Sequence, residues 1–247
     1  MKCLEKKDIV FIYTIAFFII KNVMLYLIPT PIWNTDDITI RALNLLKEVP
    51  ILICEDTRTT KKLLNILNIW YENKQFFSLT SFTDKGKLNH YLNLLKENDI
   101  WMVSDAWTPW LSDPGKQLIQ ICVENNLPYT ILPWANALVP AVVWSWFDTS
   151  SFCYIWFLPQ KKGRQTTLKE CIQRDMPTFF YESVHRIEKL IKELDELNYS
   201  WKISITREIS KLFEEHITCT FEELKTKMEK KEIQIKGEFV IGLYPTK

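Results

Sequence analysis

The chain has 247 residues, 47% of them hydrophobic and 25% charged. That is enough apolar material for a packed core, and it excludes a disordered or fibrous protein. Lys and Arg number 31 against 30 Asp and Glu, a net charge of +1, so no bulk field recruits nucleic acid and any RNA site must be a local patch.

Residues 9–20, IVFIYTIAFFII, form an apolar run behind Lys6 and Lys7. The run is shorter than the about 20 residues of a membrane span, and no small-x-small cleavage site follows it. Three readings fit residues 1–23: a start codon assigned too early, a loose helix, or a signal anchor. From Met24 onward short apolar runs alternate with helical patterns. Leu25–Ile28 reads as a buried strand ending at Pro29-Thr30-Pro31. Thr35 is expected to cap one helix, with Asp36 and Asp37 in its first turn and Lys47 near its end. Strands follow at Pro50–Cys54, Phe76–Phe82, Ile100–Val103 and Tyr129–Leu132. Helices are expected from near Thr57 through Leu67, at Leu88–Leu95, at Leu118–Val123 and at Ala135–Val143.

The second series has strands at 152–158, 178–181, 202–206, 216–220 and 238–244. Its helices fall at 165–174, 184–197 and 221–230. The alternation implies parallel or mixed sheets covered by helices. The pattern predicts two α/β domains, 24–137 and 138–247. The six cysteines form no CxxC pair and are read as reduced, mostly buried thiols. The three histidines make no HxxxH or HxH spacing, so no metal site is expected.

Ligands of open α/β sheets sit at the carboxyl ends of the strands. Those ends read Pro31-Ile32-Trp33-Asn34, Glu55-Asp56-Thr57-Arg58, Ser104-Asp105-Ala106-Trp107-Thr108-Pro109 and Pro133-Trp134-Ala135-Asn136. In the second half they read Tyr181-Glu182-Ser183-Val184-His185-Arg186 and Arg207-Glu208. Polar and Pro-rich segments thus recur at one edge, as in a composite site.

TPIWNTDDIT (30–39), CEDTRTTKKLL (54–64), VSDAWTPWLSDPG (103–115) and LPWANAL (132–138) resemble successive motifs of the ribosomal RNA small subunit methyltransferase I family. So do FLPQKKGR (157–164), FYESVHR (180–186), TREISK (206–211) and KGEFV (236–240). That family lies within the tetrapyrrole-methylase-like S-adenosylmethionine enzymes, and the likeness spans about residues 24–245. It departs at the glycines: the family reads PIGN, VSDAGTPG, LPGP and GFLP, where this chain has Trp33, Trp107, Trp110, Trp134 and Trp156. Trp70, Trp101, Trp144, Trp146 and Trp201 also stand where glycine would be unremarkable. The chain has 5 Gly and 10 Trp; reading every Trp as Gly would give 15 Gly, near the ordinary level of about 7%. Some bacterial lineages read UGA as glycine, and an alternative table reads it as tryptophan. The expectation is therefore that these positions are UGA codons and carry glycine in the cell. The alternative is a Trp-rich protein whose site is filled by indoles.

The resemblance implies a two-domain α/β fold with a cofactor cleft between the domains. It implies S-adenosyl-L-methionine held, without a metal, by Pro31, Ile32, Trp33, Asn34, Ser104, Asp105, Ala106, Trp107, Thr108, Pro133, Trp134, Asn136 and Ala137. Asp105 is the leading polar candidate; Asn34 and Asn136 fit a turn role equally. Glu55, Asp56, Arg58, Tyr181, Ser183, Arg186, Arg207 and Lys211 are expected to bind substrate. Glu55–Arg58 also fits an ion-paired helix start, and Ser183 a helix N-cap. Glu182, His185 and Glu208 are the candidate catalytic groups, since a ribose hydroxyl needs its proton accepted. Lys161, Lys162 and Arg164 read as a basic turn that touches RNA or is simply solvated. The implied reaction is 2′-O-methylation of a cytidine in 16S rRNA near the decoding centre. The expected state is a cytoplasmic homodimer, acting on the small ribosomal subunit, without stable membrane association. The rivals are a precorrin-type tetrapyrrole methyltransferase and, if the tryptophans are real, a non-catalytic RNA-binding or assembly protein. The resemblance leads one to expect that a C-terminal extension common among relatives, with any substrate contacts it provides, is missing after Tyr244-Pro245.

Overall fold

The computed structural model describes residues 23–80, 82–104, 115–133 and 135–245. The apolar run 9–20 lies outside them. The chain divides into two units, one holding residues up to Pro31 and Thr35–Ala135, the other Ile32–Asn34 and Asn136 onward.

The first unit is built on β1 (Leu25–Ile28), β2 (Ile51–Cys54), β3 (Gln75–Ser78), β4 (Ile100–Val103) and β5 (Tyr129–Ile131), in the order β3-β2-β4-β1-β5. Every pairing is parallel. β2 and β4 are buried along their whole length, as expected of strands covered on both faces. The covers include α1 (Ile40–Glu48), α2 (Thr57–Ile66), α3 (Lys85–Glu97) and α4 (Gly115–Glu124). Two apolar clusters result, one around Leu27, Ile53, Tyr91 and Met102, the other around Ile28, Leu46, Leu52 and Val103.

Two sequence expectations need correction here. The helix expected from Thr35 is two pieces, a 3-10 turn at Thr35–Asp37 and then α1. Thr39 separates them, because its side chain accepts the Ala42 N–H and so starts a new helix. The third strand stops at Ser78, because the Thr80 N–H turns to the Thr83 hydroxyl at 2.9 Å.

The second unit has β6 (Cys153–Phe157), β7 (Thr178–Ser183), β8 (Lys202–Arg207), β9 (Glu215–Thr220) and β10 (Glu238–Leu243), ordered β6-β7-β10-β8-β9. Only β6 and β7 pair in parallel; β10 runs antiparallel to both β7 and β8, and β8 antiparallel to β9. The helices are α5 (Leu138–Trp144), α6 (Arg164–Gln173), α7 (Ile187–Glu196) and α8 (Phe221–Glu229). Here α5 begins three residues later than the periodicity suggests, and the expected 184–197 helix starts with a 3-10 turn at Val184–Arg186. Ser183 occupies the cap position of that turn but makes no side-chain cap bond. Leu168, Phe180, Leu190, Ile205, Phe221 and Ile241 anchor the core.

Cys54, Cys122 and Cys171 are buried free thiols, and Cys153 and Cys219 are half-buried ones. Among the described residues no helix is long and apolar enough to cross a membrane, and no His/Cys/Asp/Glu group could hold a metal.

Candidate functional site

In the first unit the parallel strands end along one edge. Thr30 Oγ1 donates to the Ser104 carbonyl at 3.2 Å in buried surroundings, which ties the end of β1 to the end of β4. Pro31 and Ser104 are buried; Pro133 is exposed. Asp105, Ala106, Trp107, Thr108 and Trp134 lie outside the described residues. After β2, Asp56 caps α2 by accepting the Arg58 N–H at 2.8 Å, and it pairs with the Arg58 guanidinium at 2.6 Å. Those Arg58 hydrogen bonds lower the Asp56 carboxyl to about 2. Glu55–Arg58 is therefore an ion-paired helix start that leaves the Arg58 side chain 90% exposed and within reach of a ligand.

Ile32 is half-buried and Trp33 and Asn34 are exposed, and this segment belongs to the second unit. Asn136 Oδ1 accepts the Val139 N–H at 2.9 Å, fixing the start of α5; Ala137 stands at its N-cap position.

The second sheet gathers its polar residues by topology. β7 and β8 both oppose β10, so their carboxyl ends meet its amino end: Ser183 faces Glu238, and Arg207 faces Phe239. Three clusters form there.

The first cluster is buried. Arg164, 2% exposed, donates from Nη2 to Glu182 at 2.8 Å and from Nε to Glu193 at 2.8 Å. The other Glu182 oxygen accepts Arg186 Nε at 2.6 Å and the Ser183 N–H at 2.8 Å. Glu182 thus has both oxygens engaged and its side chain 0% exposed. Such a carboxylate orders the loop and is out of reach of a hydroxyl proton. Arg164 likewise leaves the expected basic turn, in which Lys161 and Lys162 are exposed. Burying its charge without partners would be costly, and the two glutamates supply those partners.

Tyr181 is also interior. Its ring packs on Tyr154, Trp156 and Phe157 at centroid distances of 5.9, 5.2 and 5.8 Å, and burial pushes its hydroxyl up to about 12. Tyr181, expected to bind substrate, is thus only 5% exposed. Arg186 sits 5.7 Å above the Phe157 ring, and His185 is exposed on the 3-10 turn.

The second cluster joins Glu208, Lys211, Glu238 and Trp33. Lys211 Nζ bonds Glu208 Oε1 at 2.7 Å and Glu238 Oε2 at 3.3 Å. Glu208 Oε1 also accepts the Glu238 N–H at 3.1 Å. Gly237, at φ +86°, lies against the Glu208 side chain, where a Cβ would collide with it. Burial of Glu208 works against its charge, but Lys211 and the Glu238 amide outweigh it and hold the carboxyl below its usual range. The indole of Trp33 lies under Lys211, with Nζ 4.1 Å from the ring centroid, and its Nε1–H donates to Glu238 Oε2 at 3.3 Å.

The third cluster holds Arg207, 5% exposed, on Glu215 at 2.5 Å and the Lys236 carbonyl at 3.4 Å. The buried guanidinium braces this edge.

The structure therefore brings Glu208, Lys211 and Trp33 together. It also adds Glu238 and Glu193, which a scan of carboxyl strand ends passes over. Glu238 begins its strand, and only the antiparallel direction of β10 carries it to the same edge.

Residues 24–225 match the family model for tetrapyrrole (corrin/porphyrin) methylases. The chain is 37% identical over 221 residues to the ribosomal RNA small subunit methyltransferase I of a Hydrogenobaculum species, covering 89% of this chain and 94% of that one. It is 34% identical to the Helicobacter pylori (strain J99) protein of the same name, over 89% of this chain and 82% of that one. With the Borrelia garinii subsp. bavariensis protein of that name it shares 36% identity, over 88% and 97%. Among solved structures, a cobalamin biosynthetic cobalt precorrin-4 methyltransferase shares the fold at a TM-score of 0.58 and 14% identity, over 89% of this chain and 94% of that one.

Proposed function

The chain belongs to the tetrapyrrole methylase family and, within it, to the ribosomal RNA small subunit methyltransferase I group; from that premise we propose that it transfers a methyl group from S-adenosyl-L-methionine to the 2′-hydroxyl of a cytidine in 16S rRNA. The observation that carries the reading is the contrast between the two strand-end edges. The first offers small and Pro-containing segments around Pro31 and Ser104, with Asp105 next in sequence, which suit a donor gripped largely by backbone groups. The second offers Lys211, Glu208, Glu238, His185 and Arg186, which suit phosphate and hydroxyl.

S-adenosyl-L-methionine, when bound, supplies an electrophilic methyl carbon on a sulfonium. Pro31, Ser104, Asp105, Ala106, Thr108, Pro133, Asn136 and Ala137 are the proposed donor contacts. Buried Ser104 and Ala137 fit that role because they crowd the edge least. The acceptor oxygen attacks in line with the breaking bond to sulfur, so positioning supplies much of the rate. Glu208, held ionised by Lys211, orients the hydroxyl or accepts its proton, and exposed His185 is the second candidate acceptor. Arg186 and Arg58 position phosphate, a task that needs a cation without base specificity. Glu182 is a positioning residue that holds Arg186 in place.

Calorimetry should show S-adenosyl-L-methionine binding that chelator leaves unchanged. Asp105→Ala should weaken that binding more than RNA binding. Label from the methyl group should appear on a 2′-hydroxyl of 16S rRNA in unmodified small subunits. Label on a base, or only on a tetrapyrrole, overturns the assignment.

A further inference from the structure

We propose that Lys211 and Glu238 form a subsite for the flat, N–H-bearing edge of a nucleobase, and that the Trp33 indole occupies it here. This rests on the methyltransferase reading and names the part of a ligand that the second edge receives. The indole makes the two contacts such a base would make. A cation lies over its face, with Nζ 4.1 Å from the ring centroid, and a carboxylate accepts its N–H at 3.3 Å. Cation–π attraction favours any electron-rich ring at this place, and the charged acceptor selects an edge that can donate.

The subsite is built before a ligand arrives. Glu208 holds Lys211 at 2.7 Å and the Glu238 N–H at 3.1 Å, so both contact groups are tethered to one carboxylate. Glu208 is itself at φ +51° and packed under Gly237 at φ +86°, a crossing that a side chain at 237 would block. The occupant, in contrast, is loosely held: Trp33 is 62% exposed and lies in a loop. A residue without a side chain at 33 leaves the cation and the carboxylate facing open space.

Two sources could supply the base, the cytidine of an RNA or the adenosine of the methyl donor. Binding of an oligocytidine, of S-adenosylhomocysteine and of ribose 5-phosphate is measured for the chain and for Trp33→Gly. The chain's unfolding midpoint serves as a check that the exposed substitution leaves the fold intact. Trp33→Gly is expected to gain roughly tenfold in affinity for one of the two nucleobase ligands, the size of one stacking contact. Lys211→Met or Glu238→Ala in that background should erase the gain, and ribose 5-phosphate should gain nothing. The ligand that gains identifies the source. No gain with either ligand, an equal gain with ribose 5-phosphate, or a gain that survives both second substitutions overturns the subsite. Because no methyl transfer is read, failure of the reaction and failure of the subsite are separate results.

Different residues carry a second inference: the tryptophan positions are glycine in the cell. Trp146 follows the C-cap of α5 in the left-handed region, at φ +57°, and is 86% exposed. The corresponding place after α2, α4 and α7 is taken by Asn68, Asn126 and Asn198, at φ +54°, +52° and +55°, and after α8 by Lys231 at φ +57°. Helices end this way on glycine first and asparagine second; a bulky side chain is strained there. Trp101, 4% exposed, stacks on Tyr26 but leaves its Nε1–H buried without a hydrogen-bond partner. Trp70 and Trp201 are 69% and 43% exposed. Mass spectrometry of peptides from the protein isolated from its own cells should find glycine at 101 and 146. Tryptophan masses there would overturn the inference.

Discussion

Trp146 shows how one dihedral angle carries information that composition only hints at. Its φ of +57° places a large side chain where the Cβ meets the following carbonyl. Trp146→Gly, made in the protein as written, should raise stability by about 1 kcal/mol, read as a shift in urea midpoint with unchanged slope. Loss of stability would mean that the exposed indole has a partner. Asp56 gives a prediction of the opposite kind. Its folded pKa is lowered to about 2 by Arg58, so its contribution is present above the ordinary carboxylate range and fades as pH falls toward the folded value. Glu208, also lowered, acts in the same direction. Urea midpoints should therefore fall between about pH 4 and pH 2. Asp56→Asn should flatten part of that fall; an unchanged acid profile would remove Asp56 from the account.

At the scale of elements, capping and ion pairing fix the segments that the edges depend on. Thr39→Ala removes the hydroxyl that receives the Ala42 N–H and should cost about 1 kcal/mol. Glu182→Gln strips the charge that Arg164 and Arg186 share. It should cost about 1–3 kcal/mol, because the charged partner shared by buried Arg164 and Arg186 is lost while Glu193 still pairs Arg164. A thermal melt unchanged by Glu182→Gln would return that carboxylate to the catalytic candidates.

Most strands and helices were legible in the sequence, because apolar runs such as Ile51–Cys54 and Ile100–Val103 are bounded by polar turns. The break at Thr39 and the short third strand were not, since single side-chain-to-backbone bonds decide them. The site was legible by half. Motif order marked Glu208 and Lys211, whereas the interior places of Glu182, Tyr181 and Arg164 depend on partners 18 or more residues away in the chain. Glu238 lay inside the KGEFV motif but was not singled out, because strand direction, which apolar periodicity does not encode, brings it to the edge.

At the scale of the whole molecule, the proposed reaction draws on both units, with Arg58 among the phosphate contacts in the first and Arg186 in the second. The net charge of +1 leaves few phosphate contacts to provide affinity, so the salt dependence of RNA binding should be shallow. Under the proposed function the expected target is a shaped one, an assembled or partly assembled small subunit. Arg186→Ala should lower affinity for that target while nearly preserving donor affinity; an unchanged RNA affinity would remove Arg186 from the phosphate contacts. The most direct measurement is transfer of labelled methyl from S-adenosyl-L-methionine to unmodified 30S particles, followed by nuclease mapping, using the protein with glycine at the ten tryptophan positions. Label is expected on the ribose of a cytidine in 16S rRNA. Label on a base, label confined to a tetrapyrrole, or no transfer by a protein that binds the donor would contradict the proposed function.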